Sequence, residues 1–192
     1  VYTVDQAVAD KAVVPLLYEG RMVPQVVHEE TIDRYFDKIC GWMSDAQRAD
    51  MKKKFSHADQ LNQTQQRIYA IAWDMSQHFR ENWQGSKFKA QLVAPRKRIA
   101  ILYKQYLDEI GIVSSEVLIT SPDTREGEDE AFGDTSNVEV AFWKRMMDEY
   151  GTAKKYEASI INRFKNSDKP EIIIVVDKLL TGFDEPRNTV LY

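Results

Sequence analysis

Thr181, Gly182 and Asp184 fall within one short stretch, "KLLTGFDEPRNTVLY", directly after the apolar run "EIIIVVD". A hydroxyl and a glycine can hold a phosphate through the side-chain oxygen and backbone N–H groups, and a nearby carboxylate can hold a sugar hydroxyl. A Thr-Gly turn followed by Asp and Pro is also ordinary loop punctuation. On spacing alone both readings stand. A second group is basic: Arg96, Lys97 and Arg98 open an apolar-striped segment in "APRKRIAILYKQYLDEIG". Cations there can touch a nucleic-acid backbone, or they can form a solvated face.

Other chemistries find no residues. The single cysteine, Cys40, lies among apolar neighbours at helical spacing and suits a small core position better than a nucleophile. His28, His57 and His78 are scattered, and no Cys/His pair has zinc-ligand spacing, so no metal site is expected. The sequence holds no G-x-x-x-x-G-K-[ST] phosphate loop, no Asp-Glu box for magnesium and no G-x-S-x-G elbow.

The elements that would position these residues follow from periodicity. Residues 12–27 hold two short apolar runs around Glu19-Gly20-Arg21 and suggest a hairpin or two edge segments. Ile32, Tyr35, Phe36, Ile39 and Met43 recur at helical steps, and "SDAQ" (44–47) is a capping box for a second helix through about Phe55. Ile68, Ile71, Ala72, Met75 and Phe79 mark a third helix, whose tryptophans and methionine are read as core. From residue 88 the pattern changes. "FKAQLVAP" predicts a strand, 96–110 a helix with Gly111 at its C-terminal cap, and "EVLIT" (116–120) a further strand. Strand, helix, strand implies a parallel sheet. The acidic stretch 122–136 is expected to be an exposed loop. Two helices separated by Gly151 precede the strand at 171–177, whose continuous hydrophobicity means that both sheet faces are covered. The fold class is therefore α/β, a partial parallel sheet flanked by helices. Residues 1–86 form a mostly helical part and 87–192 the sheet-bearing core.

Composition bounds the partners. The chain has 192 residues, 43% hydrophobic and 29% charged, as in an ordinary globular protein. A net charge of −4 argues against a strongly basic nucleic-acid binder but leaves room for local contacts. No run approaches the roughly 18 apolar residues of a membrane helix. The start lacks an initiator Met and a signal peptide, and one cysteine fits a reducing compartment, so a cytoplasmic protein without membrane contact is expected.

The string "KLLTGFDEPRNTVLY" resembles motif V of superfamily 2 helicase-like motors, in the version carried by the restriction (R) subunit of type I restriction-modification enzymes. "YTVDQAVADKAVVPLLYEGR" is similar to the stretch that opens the second motor domain of that family. "LNQTQQRIYAIAWDMSQHF", "FKAQLVAPRKRIAILYKQYLDEIG" (its motif IV region) and "SPDTREGEDE" resemble further family segments. The likeness covers essentially the whole chain. It implies a RecA-like second lobe of an ATP-dependent DNA translocase and endonuclease that walks along duplex DNA and cuts away from its recognition site. ATP and Mg2+ would serve the full-length subunit. Partners would be double-stranded DNA, the first RecA-like lobe of the same chain, and the methylation and specificity subunits.

Carried over by position, Thr181 falls where motif V contacts a DNA phosphate or transmits the nucleotide state, with Gly182 permitting close approach. Asp184 falls where related motors place an acid near the ATP ribose or the interlobe cleft. Arg96 and Lys97 become DNA-backbone candidates, although Arg96 stands where a small hydroxyl residue is expected. The resemblance further implies an excised lobe, cut before the motif VI helix. Such a piece binds no cofactor alone and is inactive alone, with no catalytic residue of its own. The competing reading is an α/β interaction module that docks partner subunits through the helices of 29–83.

Overall fold

The computed structural model describes residues 3–13, 15, 17–21, 23, 63–122 and 135–192. The helices expected over 29–55 and most of the acidic stretch 122–136 lie outside the described residues.

Helix α1 (Val4–Ala9) begins at a capping box, Thr3 accepting from the Gln6 amide while the Gln6 side chain accepts from the Thr3 amide. Those residues of 12–27 that are described contain no strand, and the rest of the stretch expected as a hairpin or two edge segments lies outside the described residues. The segment is held by side chains instead. Arg21 donates to both carboxylate oxygens of Asp74, at 2.7 and 3.0 Å, and to Glu19 at 2.7 Å.

Helix α2 (Gln63–Asn82) buries Ile68, Ala72, Met75 and Phe79 of the stripe its periodicity predicts, leaves Ile71 half-buried and buries Tyr69 as well. Strand β1 (Lys89–Val93) leads through Pro95 into α3 (Lys97–Ile110), which ends at Gly111 with φ +70° and a backbone bond back to Leu107. Helices α2 and α3 pack together, Tyr69 meeting Tyr106 edge to face at 5.1 Å. Strand β2 (Ser115–Leu118) is followed by α4 (Thr135–Tyr150), α5 (Ala153–Asn166), β3 (Ile172–Val175) and β4 (Asn188–Leu191).

The sheet order is β2-β3-β1-β4 and every pairing is parallel. The parallel sheet expected from the strand, helix, strand pattern is found, with β3 inserted between β1 and β2 and paired with both. All four β3 residues are fully buried, which is why that run reads as unbroken Ile and Val. One buried face of α5, Tyr156, Ile160 and Phe164, covers the sheet, and the Tyr156 hydroxyl donates to Val117 O. At the strands' starting edge Glu171 gathers three elements. Its carboxylate accepts from Ser114 N at 2.7 Å, Ser114 Oγ at 2.9 Å and Gln84 Nε2 at 3.1 Å. Among the described residues no helix is long and apolar enough to cross a membrane.

Candidate functional site

The strand order reverses at the centre of the sheet. From β1 the chain runs through α3 to β2, on the far side of β3. From β3 it runs through residues 176–187 to β4, on the far side of β1. The connections leaving two adjacent central strands therefore diverge, and ligands of open parallel sheets bind at such a reversal, beyond the carboxyl ends of the strands. Ala94 N donates to Val175 O at 2.9 Å, so the two strands end level and both loops leave the same rim.

The loop after β3 carries the first group of candidates. Thr181, Gly182 and Asp184 are all exposed, whereas Phe183 between them is half-buried against Phe164 at 6.2 Å. Gly182 has φ +69°, and a Cβ built there would meet nothing within 4 Å. Glycine is thus demanded by the backbone angle, and the space beside it is open to an incoming group. Two further residues hold left-handed angles, Asp177 at φ +52° and Leu179 at φ +58°. For a leucine that conformation is costly and persists only where its surroundings over-determine it.

The three candidates do not form one cluster. The loop descends beside α5, starting where Lys178 Nζ meets Glu157 Oε2 at 2.7 Å. It ends where Lys165 Nζ donates to Asp184 O at 2.5 Å and Arg187 donates to the carbonyls of Phe164 and Lys165. Glu157 and Lys165 are two turns apart, about 12 Å along the helix. Thr181 and Gly182 belong to the bend between these anchors. The Asp184 backbone stands with the last turn of α5, toward the ends at which the strands begin.

The basic group also divides. Arg96 is exposed and takes the N-cap position of α3 without a side-chain capping bond. The missing cap comes from a distance: Glu139 of α4 accepts from the Arg98 amide at 2.9 Å. A protein carboxylate thus already meets the positive end of this helix. Lys97 is buried, and its ammonium donates to Ser121 O at 3.0 Å, tying the rim of β1 to that of β2. It does not lie on a solvated basic face.

Sequence reasoning missed the polar residues beneath the loop. Gln91, buried in mid-strand, donates to Leu179 O at 3.4 Å and accepts from Asn188 Nδ2 at 2.9 Å, joining β1, β4 and the loop. The signal was present: Lys89 and Gln91 alternate with apolar residues on one face of β1, which marks a face that is not purely hydrophobic. Among the described residues no cluster of three His, Cys, Asp or Glu side chains is placed to hold a metal ion.

Residues 79–192 match the family described as type I restriction enzyme subunit R domain 3, and residues 1–49 match the SWI2/SNF2 ATPase family. The whole chain aligns at 25% identity with 17% of an endonuclease subunit assigned to the type I restriction enzyme MjaIXP of Methanocaldococcus jannaschii. It aligns at 24% identity with 17% of the type I restriction enzyme HindI endonuclease subunit of Haemophilus influenzae. The chain thus spans under a fifth of the length of these relatives. No solved structure gives a significant match. The domain match covers more than half of the chain, including both central strands and the loop between β3 and β4, and the chain belongs to the type I restriction enzyme R-subunit family.

Proposed function

We propose that this chain is part of the ATP-driven DNA translocation motor of a type I restriction endonuclease R subunit. The observation that carries the reading is the exposed Thr181–Gly182 bend on the loop that leaves the fully buried β3 at the reversal of strand order. The family membership and the SWI2/SNF2 match over residues 1–49 support it.

The residues present suit one wall of a nucleotide and DNA site. Open space beside Gly182 admits a phosphate oxygen against the backbone, and the exposed Thr181 hydroxyl can donate to it. The exposed Asp184 carboxylate offers an acceptor lower on the same loop, suited to a ribose hydroxyl or a group across an interlobe cleft. Arg96, exposed at the rim, is the DNA-backbone candidate of the basic group. Lys97 serves the fold through Ser121. The phosphate loop and magnesium ligands would come from the first RecA-like lobe, and the methylation and specificity subunits would direct the motor to its site. ATP supplies the energy that opens and closes the cleft. The role of this lobe is to bind, orient and report. A cytoplasmic location follows from that function.

The test is DNA-stimulated ATP hydrolysis by the full-length subunit carrying Thr181→Ala or Asp184→Ala. We expect stimulated turnover to fall about tenfold or more, because small misplacements in a motor site are costly, with the fold retained. Unchanged turnover in both variants would remove the reading.

A second reading draws on Leu17 and Tyr18, 94% and 91% exposed beside the Arg21 clamp. Such side chains suit a docking contact without catalysis. Full ATPase with lost subunit assembly in a Leu17→Ser, Tyr18→Ser variant would favour it.

A further inference from the structure

We propose that α5 positions the bend through two staples, with Glu157 and Lys165 as positioning residues for the coupling of DNA contact to ATP turnover. The inference rests on the motor reading of Thr181 and Gly182.

The upper staple is the Lys178–Glu157 ion pair at 2.7 Å, with side chains 21% and 42% exposed. Pairs this exposed contribute little stability, under about 1 kcal/mol. Yet Lys178 sits between the two left-handed residues Asp177 and Leu179, so the backbone is strained to aim this one side chain at α5. Strain sustained around a weak pair suits orientation better than stability. The lower staple joins three contacts. Lys165 Nζ donates to Asp184 O, lies 5.1 Å over the Phe183 ring, and Phe183 rests on Phe164. Between the staples Thr181 and Gly182 remain exposed. Their position is thus set by the rigid helix beside them. A shift of α5 at its Gly151 end moves the bend, and a pull on the bend moves α5. Helix α5 also reads the sheet, through Arg163 to Glu116 at 3.0 Å and Tyr156 to Val117 O.

The experiment uses the full-length subunit with Glu157→Gln, Lys165→Met and the exchange pair Glu157→Lys with Lys178→Glu. Three quantities are read: basal ATP turnover, DNA-stimulated turnover, and hydrogen exchange of amides 178–184 without nucleotide. Loss of one staple should lower stimulated turnover roughly threefold to tenfold, with basal turnover within about twofold. Exchange at 178–184 should quicken while β1 and β3 amides keep their protection. The exchange pair should regain at least half of the stimulated rate. Wild-type stimulation in both single variants overturns the proposal, as does an equal fall of basal and stimulated rates or a failed exchange pair. Thr181→Ala in the same assay separates the two ideas. If it abolishes stimulation while Glu157→Gln and Lys165→Met do nothing, the staples fail and the motor reading survives. If Thr181→Ala and Asp184→Ala are both silent, both fall.

Discussion

The ammonium of Lys89 donates to the carbonyl oxygen of Pro170 at 2.7 Å from a side chain only 2% exposed. It also donates to the carbonyls of Ser167, at 2.7 Å, and Asp168, at 3.2 Å, and lies 5.1 Å over the Phe164 ring. One cation thus closes the turn between α5 and β3 and fixes where β3 starts. Burial lowers its pKa, and the nearby Arg187 adds to that effect, so the three carbonyls are what make the buried charge tolerable.

Lys89→Met keeps the length of the stem and removes the donor. The carbonyls of Ser167, Asp168 and Pro170 then lose their partner, at a cost of about 2 kcal/mol. Urea denaturation of the chain should show a lower midpoint at unchanged slope. An unchanged midpoint would mean that water replaces the ammonium at no cost.

Gly182→Ala separates conformational demand from crowding. The added methyl meets no atom within 4 Å, but φ is +69°. A left-handed alanine should cost about 1 kcal/mol, and Gly182→Asn less, because asparagine visits that region more readily. Equal stability of the glycine and alanine forms, measured by the same denaturation, would show that the bend relaxes to another angle.

The buried tyrosines set an alkaline limit. Burial pushes the Tyr106 pKa up to about 12, with Glu109 adding to the shift, and burial also raises Tyr69, Tyr156 and Tyr192. A folded pKa above the unfolded one gives stability that is complete below the ordinary value near 10.0 and lost as pH climbs through the folded value. Tyrosinate absorbance of these residues should therefore rise together with loss of the helical signal, above pH 10.0. Stepwise ionisation near the ordinary value, with helicity intact, would contradict the burial.

Much of this protein is legible in local pattern. The α2 stripe from Ile68 to Phe79, the Gly111 cap and the unbroken apolar β3 are each stated by their own residues, because periodicity and cap chemistry act over one or two helical turns. The Thr181–Asp184 motif is likewise legible by type, since the loop directly follows the last apolar strand. Strand order is different. That β3 divides β1 from β2, and that the strand order reverses between β1 and β3, depends on contacts among residues some 80 positions apart, as in Ala90 beside Ile172. The fates of Arg96 and Lys97 were likewise decided in three dimensions. They are adjacent and both cationic, yet one is exposed and the other reaches inward to Ser121, while Glu139 of another helix takes the cap that neither supplies. Residue type determines what a side chain can bind. Only packing determines whether its charged end meets solvent, a distant carbonyl or a ligand, because desolvation and hydrogen bonding are settled by whatever the fold brings alongside it.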